Sequence, residues 1–284
     1  MKIVISFNCQ TPGVAEALFQ LNPSYKILNI PLFNINDPSF RAAAQKEIES
    51  SDYWITDSIP EFFSSINKKI KVIEVPMLTY PAFYPDISGI SGENGEKTIR
   101  KYHSGIVAAA YKNNMPVEEV PSLFNKINFN KLGFFNAHQD SFNNLKNQYS
   151  KYGLEKYFYD FFYEVKKNGI FMYTATHPNA YGHACIAKLV NKIIGNESNV
   201  MPKPKDYLSY FQWSLYPDLS IYHGIEGYYR WLLKDSTLPN EINILGLELF
   251  CQFYYQQYDQ DEVMKNRSYI IKNELGTNFE KALF

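Results

Sequence analysis

Nucleophilic chemistry is best served in this chain by one thiol and one imidazole far apart in sequence. Cys9 lies in Ser6-Phe7-Asn8-Cys9-Gln10-Thr11-Pro12-Gly13, where the apolar run Ile3-Val4-Ile5 gives way to the helix-compatible Val14-Ala15-Glu16-Ala17-Leu18-Phe19. At a strand-to-helix turn, exposed backbone N–H groups and the positive end of a helix dipole favour thiolate over thiol. The thiolate is the form that attacks a carbonyl. Attack on an ester or thioester creates an oxyanion, and the nearest donors are the backbone N–H of Gln10 and the side-chain amides of Gln10 and Asn8. His177, in Thr176-His177-Pro178, is the candidate base, because imidazole titrates near neutral pH. Position alone also allows Cys9 to be a small buried hydrophobe, and Asn8 and Gln10 to be ordinary turn residues. The pairing with His177 favours chemistry.

Three further sets of residues compete for a role. In Tyr181-Gly182-His183-Ala184-Cys185, His183 is read as a helix residue that orients a neighbour or touches ligand. Six positions separate it from His177, unlike the i, i+4 histidine pair of a helical zinc motif, so no metal is expected. Asp86 either orients a histidine as the acid of a Cys/His/acid set or caps a turn after Pro85. Arg100, Lys101 and His103 either meet a phosphate or lie on a solvated helix face. Neither standard glycine-rich phosphate loop is present, which disfavours nucleotide hydrolysis and dinucleotide redox chemistry.

The elements that must position these residues are strands alternating with helices. Short Ile- and Val-rich runs at 2–7, 25–31, 53–56 and 71–75 read as strands, with helices at 14–21, 38–50 and 60–67 between them. Asp37-Pro38 is a strong helix start. Such alternation implies an α/β fold, a parallel sheet flanked by helices, with its ligand crevice beyond the carboxyl ends of the strands. Cys9, Asp57-Ser58 and residues 77–80 fall at those ends. Residues 89–95 read as a loop, 96–112 and 117–124 as helices, and 139–167 as helical with one break at Gly153. Residues 171–174 read as another strand and 179–194 as a helix. Gly195-Asn196-Glu197-Ser198-Asn199-Val200-Met201-Pro202-Lys203-Pro204-Lys205 is the expected linker. The expected domains are therefore 1–195, an α/β catalytic domain with a helical insertion around 96–168, and 206–284, a helical C-terminal region packed on it. Helical spacing is read at 222–233, 242–258 and 262–275.

Composition narrows the class of partner. The 284 residues are 45% hydrophobic and 20% charged, with a net charge of -1, which suits an ordinary globular protein and gives no basic footprint for nucleic acid. Cys9, Cys185 and Cys251 form neither a disulfide framework nor a close-spaced metal pattern. No stretch approaches the ~20 apolar residues that span a bilayer, and the first apolar run is too short for a signal peptide. A cytoplasmic protein is expected, not membrane-spanning, and the aromatic C-terminal helices lead us to expect a homodimer.

Several segments together resemble the WcbI family, bacterial polysaccharide-biosynthesis proteins regarded as acetyltransferases that bind coenzyme A. They are Asn8-Cys9-Gln10 after the first strand, Pro81-Ala82-Phe83-Tyr84-Pro85-Asp86, and His177-Pro178 before a helix; the resemblance covers roughly 1–195. At Tyr84 the sequence departs from the histidine-containing form expected there. The resemblance maps active-site residues onto Cys9, Gln10 and His177. It also implies an SGNH-like or flavodoxin-like three-layer architecture, with cysteine standing where the SGNH-hydrolase group has serine. What it implies for function is acyl transfer from acetyl-CoA to a sugar hydroxyl in capsule or other surface-polysaccharide biosynthesis. Coenzyme A or acetyl-CoA would serve as co-substrate and no metal would be needed. Asn8, Gln10, Ser58, Tyr84 and Asp86 are then expected around the oxyanion or substrate, and Arg100, Lys101, His103 and His183 as ligand contacts. Two other readings use the same residues: an esterase or thioesterase with water as acceptor, and a non-catalytic coenzyme A- or carbohydrate-binding protein.

Overall fold

Ile3, Val4 and Ile5 are fully buried, so the first strand, β1 (Lys2–Ser6), has no solvent face. That is the signature of a central strand in a parallel sheet covered on both sides. The computed structural model describes residues 1–63, 69–233 and 244–284. After α1 (Thr11–Leu21) comes β2 (Lys26–Asn29), then α2 (Pro38–Glu49), β3 (Tyr53–Thr56) and β4 (Lys71–Glu74). All pairings in this sheet are parallel, in the order β2-β1-β3-β4. Val4 is in register with Leu28 on one side and Trp54 on the other. The fold class is thus the expected one, and its strand order is that of the first four strands of a flavodoxin-like sheet.

The chain divides into two compact units, Met1–Thr79 with Asn143–Ser209, and Tyr80–Phe142 with Tyr210–Phe284. This differs from the expected division into 1–195 and 206–284. The proposed linker belongs to the first unit because it is tied along α1: Lys203 N–H donates to Gln20 Oε1 (2.7 Å) and Lys205 N–H to Glu16 Oε2 (3.0 Å).

In the first unit, Ala44 and Ile48 of α2 join Val4, Trp54, Phe63 and Ile70 in a buried cluster on one face of the sheet. Asp37 starts α2 by accepting from the N–H groups of Ser39 and Phe40, with Pro38 at the first turn. The α1 helix packs along the helix Ala180–Ile193, which in turn packs on the helix Glu155–Lys166. Gly153 breaks the helical stretch at the expected place, with φ +67°. Residues 171–174, expected as a strand, form a tight turn. Tyr173 N–H donates to the His177 carbonyl (2.6 Å) and Asn179 N–H to the Phe171 carbonyl (2.9 Å), so the segment pairs with its own continuation instead of with the sheet. The helix expected at 60–67 is described only as the short 3-10 turn Glu61–Phe63; residues 64–67 lie outside the described residues.

The second unit is richer in strands than its periodicity suggested. Tyr269–Asn273, Ile87–Gly92 and His103–Ser104 form one antiparallel sheet, and Phe211–Gln212, Trp231–Leu233 and Ile244–Leu245 another. The helix expected at 96–112 is confined to Gly105–Lys112, where Ser104 caps it by accepting from Val107 N–H. The residues before it turn back in a hairpin at Gly95 and pair with the segment expected as a loop. Helices Leu247–Tyr258 and Glu262–Lys265 are present, but the periodic stretch to 275 becomes a strand paired with Ile87–Gly92. The stretch 222–233 holds the end of a 3-10 turn and a strand; residues 242 and 243 lie outside the described residues. Trp231 stacks on Phe250 at 3.9 Å between ring centroids, and Trp213 meets the same ring edge-on at 5.4 Å. Trp213, Trp231 and Phe250 are therefore core residues of this region, while Tyr210, Tyr222 and Tyr228 are exposed. Among the described residues no helix is long and apolar enough to cross a membrane.

Asp86 is fully buried in the second unit; its Oδ1 accepts from Ile106 N–H (2.9 Å) and its Oδ2 from the Tyr216 hydroxyl (2.6 Å). Burial outweighs these bonds and pushes its carboxyl up to about 6, from an ordinary 3.8. Stability contributed by the protonated acid is therefore complete below about pH 4 and is lost as pH rises through about 6. Asp86→Asn should remove on the order of 3 kcal/mol of pH dependence across that interval. Urea unfolding midpoints measured against pH check this: a variant with the wild-type slope contradicts it.

Candidate functional site

The sheet order places a topological switch point at the carboxyl ends of β1 and β3, because the chain leaves β1 toward β2 on one side and returns to β3 on the other. Crevices at such points are the usual ligand sites of open α/β sheets. Asn8, Cys9 and Gln10 follow β1, and Asp57 and Ser58 follow β3. Of the three cysteines, Cys9 is half-buried whereas Cys185 and Cys251 are buried. Asn8 and Ser58 are exposed. Burial raises the Asp57 carboxyl above its ordinary value.

The Cys9 turn is knit to its own helix. Thr11 N–H donates to the Asn8 carbonyl (3.2 Å) and Val14 N–H to the Gln10 carbonyl (3.2 Å), while the Thr11 hydroxyl lies 2.6 Å from the Phe7 carbonyl. The Asn8 amide reaches Met77 Sδ at 3.6 Å. Gln10 is 1% exposed, and its side chain points away from solvent into a set of backbone partners. Its Nε2 donates to the carbonyls of Leu78 and Thr176, both at 2.9 Å, and its Oε1 accepts from Leu78 N–H at 3.2 Å. This corrects one expectation. Both amide hydrogens are spent on carbonyls, so the Gln10 side chain is not an oxyanion donor.

Through that amide the Cys9 turn is joined to the residue before His177. His177 is 5% exposed. Its N–H donates to Thr174 Oγ1 (3.2 Å), and Pro178 and the capping Asn179 lead into the Ala180–Ile193 helix. His183, in that helix, is fully buried, and neither ring nitrogen has a hydrogen-bond partner among the described residues. Burial first, and the charge of His177 second, hold its imidazole down at about 4, so it is neutral at physiological pH. Its ring occupies the space beside Gly13, where an added Cβ would come within 2.5 Å of Cγ and Nδ1. Gly13 is thus required for the ring to lie against the first turn of α1.

The other candidates belong to the second unit. Among the described residues the Asp86 carboxylate is bonded by Ile106 and Tyr216 and by no histidine, so it is not placed as the acid of a Cys/His/acid set. Its burial ties a helix start to Tyr216. His103 is 1% exposed, with Nδ1 3.3 Å from the Tyr258 hydroxyl and Nε2 3.1 Å from the Arg100 carbonyl and from Thr98 Oγ1. Burial holds this imidazole down at about 4. The Arg100 guanidinium donates to Gln257 Oε1 (3.1 Å) and lies over the Phe253 ring (4.5 Å), while Lys101 is exposed and Tyr84 buried. The chain therefore brings Asn8, Cys9, Gln10, Ser58, His177 and His183 into one unit, and Tyr84, Asp86, Arg100, Lys101 and His103 into the other.

Sequence reasoning missed Thr174, whose hydroxyl accepts from both Thr176 and His177 N–H, and gave Gly13 no role; it placed Leu78, within 77–80, at the strand ends but not as a partner of Gln10. The pattern Thr174-Ala175-Thr176-His177 carries the signal for the first. It also missed a cluster in the second unit, where the Tyr80 hydroxyl lies 2.6 Å from His138 Nδ1 and the His223 ring packs tilted against Phe83 at 4.7 Å between centroids. Among the described residues no group of three or more His, Cys, Asp or Glu comes together to hold a metal.

The family model described as "Polysaccharide biosynthesis enzyme WcbI" matches residues 2–199. A solved structure of WcbI, a polysaccharide biosynthesis enzyme, is similar over 93% of this chain and 90% of its own, with a TM-score of 0.66 at 15% identity. It is described as native protein without a disulfide bond between coenzyme A and one of its cysteines. A metal-free periplasmic metal-binding protein from Candidatus Liberibacter asiaticus is similar over 58% of this chain and 55% of its own at 13% identity. Its TM-score of 0.21 is too low to carry any argument. No curated protein matches the chain.

Iodoacetamide should label Cys9 in the native protein and reach Cys185 and Cys251 only on unfolding, since burial excludes the reagent and pushes the Cys185 thiol up to about 12. Peptide mass spectrometry checks this; comparable native labelling of Cys185 or Cys251 contradicts it.

Proposed function

The chain belongs to the WcbI family of polysaccharide biosynthesis enzymes, and on that premise we propose that it is an acyltransferase. It moves an acyl group, acetyl in the first instance, from coenzyme A to a sugar hydroxyl of a surface polysaccharide or its precursor. The observation that carries this reading is a half-buried thiol at the β1/β3 switch point, tied through Gln10 to the residue before a buried histidine.

The solved relative supports coenzyme A as the donor. A disulfide needs two sulfurs about 2 Å apart, so a cysteine in question for that bond is one the coenzyme A sulfur can reach. In this chain Cys9 is the thiol with the exposure for that part. In the first half-reaction Cys9 passes its proton to His177 and its sulfur adds to the thioester carbonyl. The new carbon–sulfur bond forms, the bond to coenzyme A breaks, and the departing thiolate takes the proton from His177. The sugar hydroxyl, deprotonated by His177, then attacks the acyl-cysteine, and Cys9 recovers its thiol from the same imidazole. The Gln10 backbone N–H, which donates to no acceptor among the described residues, is the donor at hand for each oxyanion.

Calorimetric titration with coenzyme A and acetyl-CoA should show saturable binding. Thiol release from acetyl-CoA should fall at least 10²-fold in Cys9→Ala and in His177→Ala, the scale of a lost nucleophile or general base. Normal turnover in both variants would overturn the site. Absence of binding by folded protein would overturn the donor and turn the reading to ester hydrolysis.

A further inference from the structure

The Gln10 side chain has spent its hydrogen-bonding groups on backbone. Bonded to both the N–H and the carbonyl of Leu78, its amide pairs with that residue as the peptide of a neighbouring strand would. Its third bond crosses 166 positions of sequence to the Thr176 carbonyl. Thr176 belongs to a turn that is stiff in its own right. The Thr174 hydroxyl accepts from the N–H groups of Thr176 (3.3 Å) and His177 (3.2 Å), the His177 carbonyl accepts from Tyr173 N–H (2.6 Å), and Pro178 fixes the backbone that follows. A stiff turn moves as one piece. Whatever holds the Thr176 carbonyl therefore helps to hold the His177 backbone.

We infer that Gln10 is the positioning residue of the Cys9/His177 pair: its buried amide fixes the turn that carries His177 against the turn that carries Cys9. The inference rests on reading those two residues as nucleophile and base. It assigns Gln10 a different job from the one its place beside Cys9 suggests, since an amide with both hydrogens on carbonyls has none for an oxyanion. The side-chain length is also specific. Asparagine, one methylene shorter, cannot span from the Cys9 turn to both carbonyls at these distances. A misplacement of about 1 Å between reacting groups costs on the order of 10²-fold in rate, so loss of the clamp should act on chemistry more than on binding.

The test is the pH dependence of Cys9 alkylation by iodoacetamide, measured on the full chain as wild type, His177→Ala, Gln10→Met and Gln10→Glu. Methionine keeps the length and removes all three bonds; glutamate keeps the acceptor toward Leu78 N–H and removes both donors. His177→Ala should displace the profile toward that of an ordinary thiol. Both Gln10 variants should displace it in the same sense, with neutral-pH alkylation slowed about tenfold or more, while coenzyme A binds within a few-fold of wild type. A displaced His177→Ala profile beside wild-type profiles in the Gln10 variants would sink the role of Gln10 alone. A His177→Ala profile identical to wild type would remove the pair, and the inference with it. Should neither Gln10 variant fold, the wild-type chain decides. The side-chain NH2 of Gln10, followed by 15N NMR without ligand, should resist hydrogen exchange, and rapid exchange would overturn the clamp.

Discussion

A glutamine amide cannot be buried without partners for its two hydrogens and its oxygen, since an unmade bond there costs about 1–3 kcal/mol. Gln10 meets that constraint with three bonds to main-chain groups from two distant segments. The candidate site depends on this. The β1–α1 turn supplies a half-buried thiol, the segment after β4 supplies Leu78, and the turn before Ala180–Ile193 supplies His177, and the amide bonds to the second and third of these segments from the first. Around it the polar satisfaction continues, through Thr11 on the carbonyls of its own turn and Thr174 on the turn of His177.

Burial sorts the titratable groups into different roles. Cys9 retains access to solvent, whereas Cys185 and Cys251 are buried, and burial first, with nearby carboxylates second, disfavours their thiolates. His103 and His183 are both held neutral by burial, but His103 is engaged by Thr98, Arg100 and Tyr258 while His183 has no partner on either nitrogen among the described residues. Asp86 and His103, alike in sequence to catalytic groups, hold the second unit together from within.

The parallel sheet was legible because β1 to β4 are short β-branched runs bounded by turn residues, and such runs differ from helix periodicity at a glance. Asp37-Pro38 and Gly153 marked their helix boundaries for local reasons of capping and backbone conformation. The strands of the second unit were not legible. Ile87–Gly92 alternates small residues that mimic a loop, and Tyr269–Asn273 becomes a strand by pairing with it across most of the chain. Within the site, Cys9 and His177 stood out by residue type and by their place at element ends. The role of Gln10 left no local trace, because its partners are carbonyls 68 and 166 positions away. Polar type alone likewise could not tell a buried, satisfied Asp86 from a ligand-facing one.

The claim on which the account turns is that Cys9 carries the acyl group between donor and acceptor. The most direct measurement is the intact mass of the wild-type protein after brief incubation with acetyl-CoA and an acid quench, followed by peptide mapping. A gain of one acetyl group is expected, located on Cys9 and discharged by hydroxylamine. An unmodified Cys9 in protein that releases coenzyme A thiol at its full rate would contradict it and leave direct transfer to the acceptor in its place.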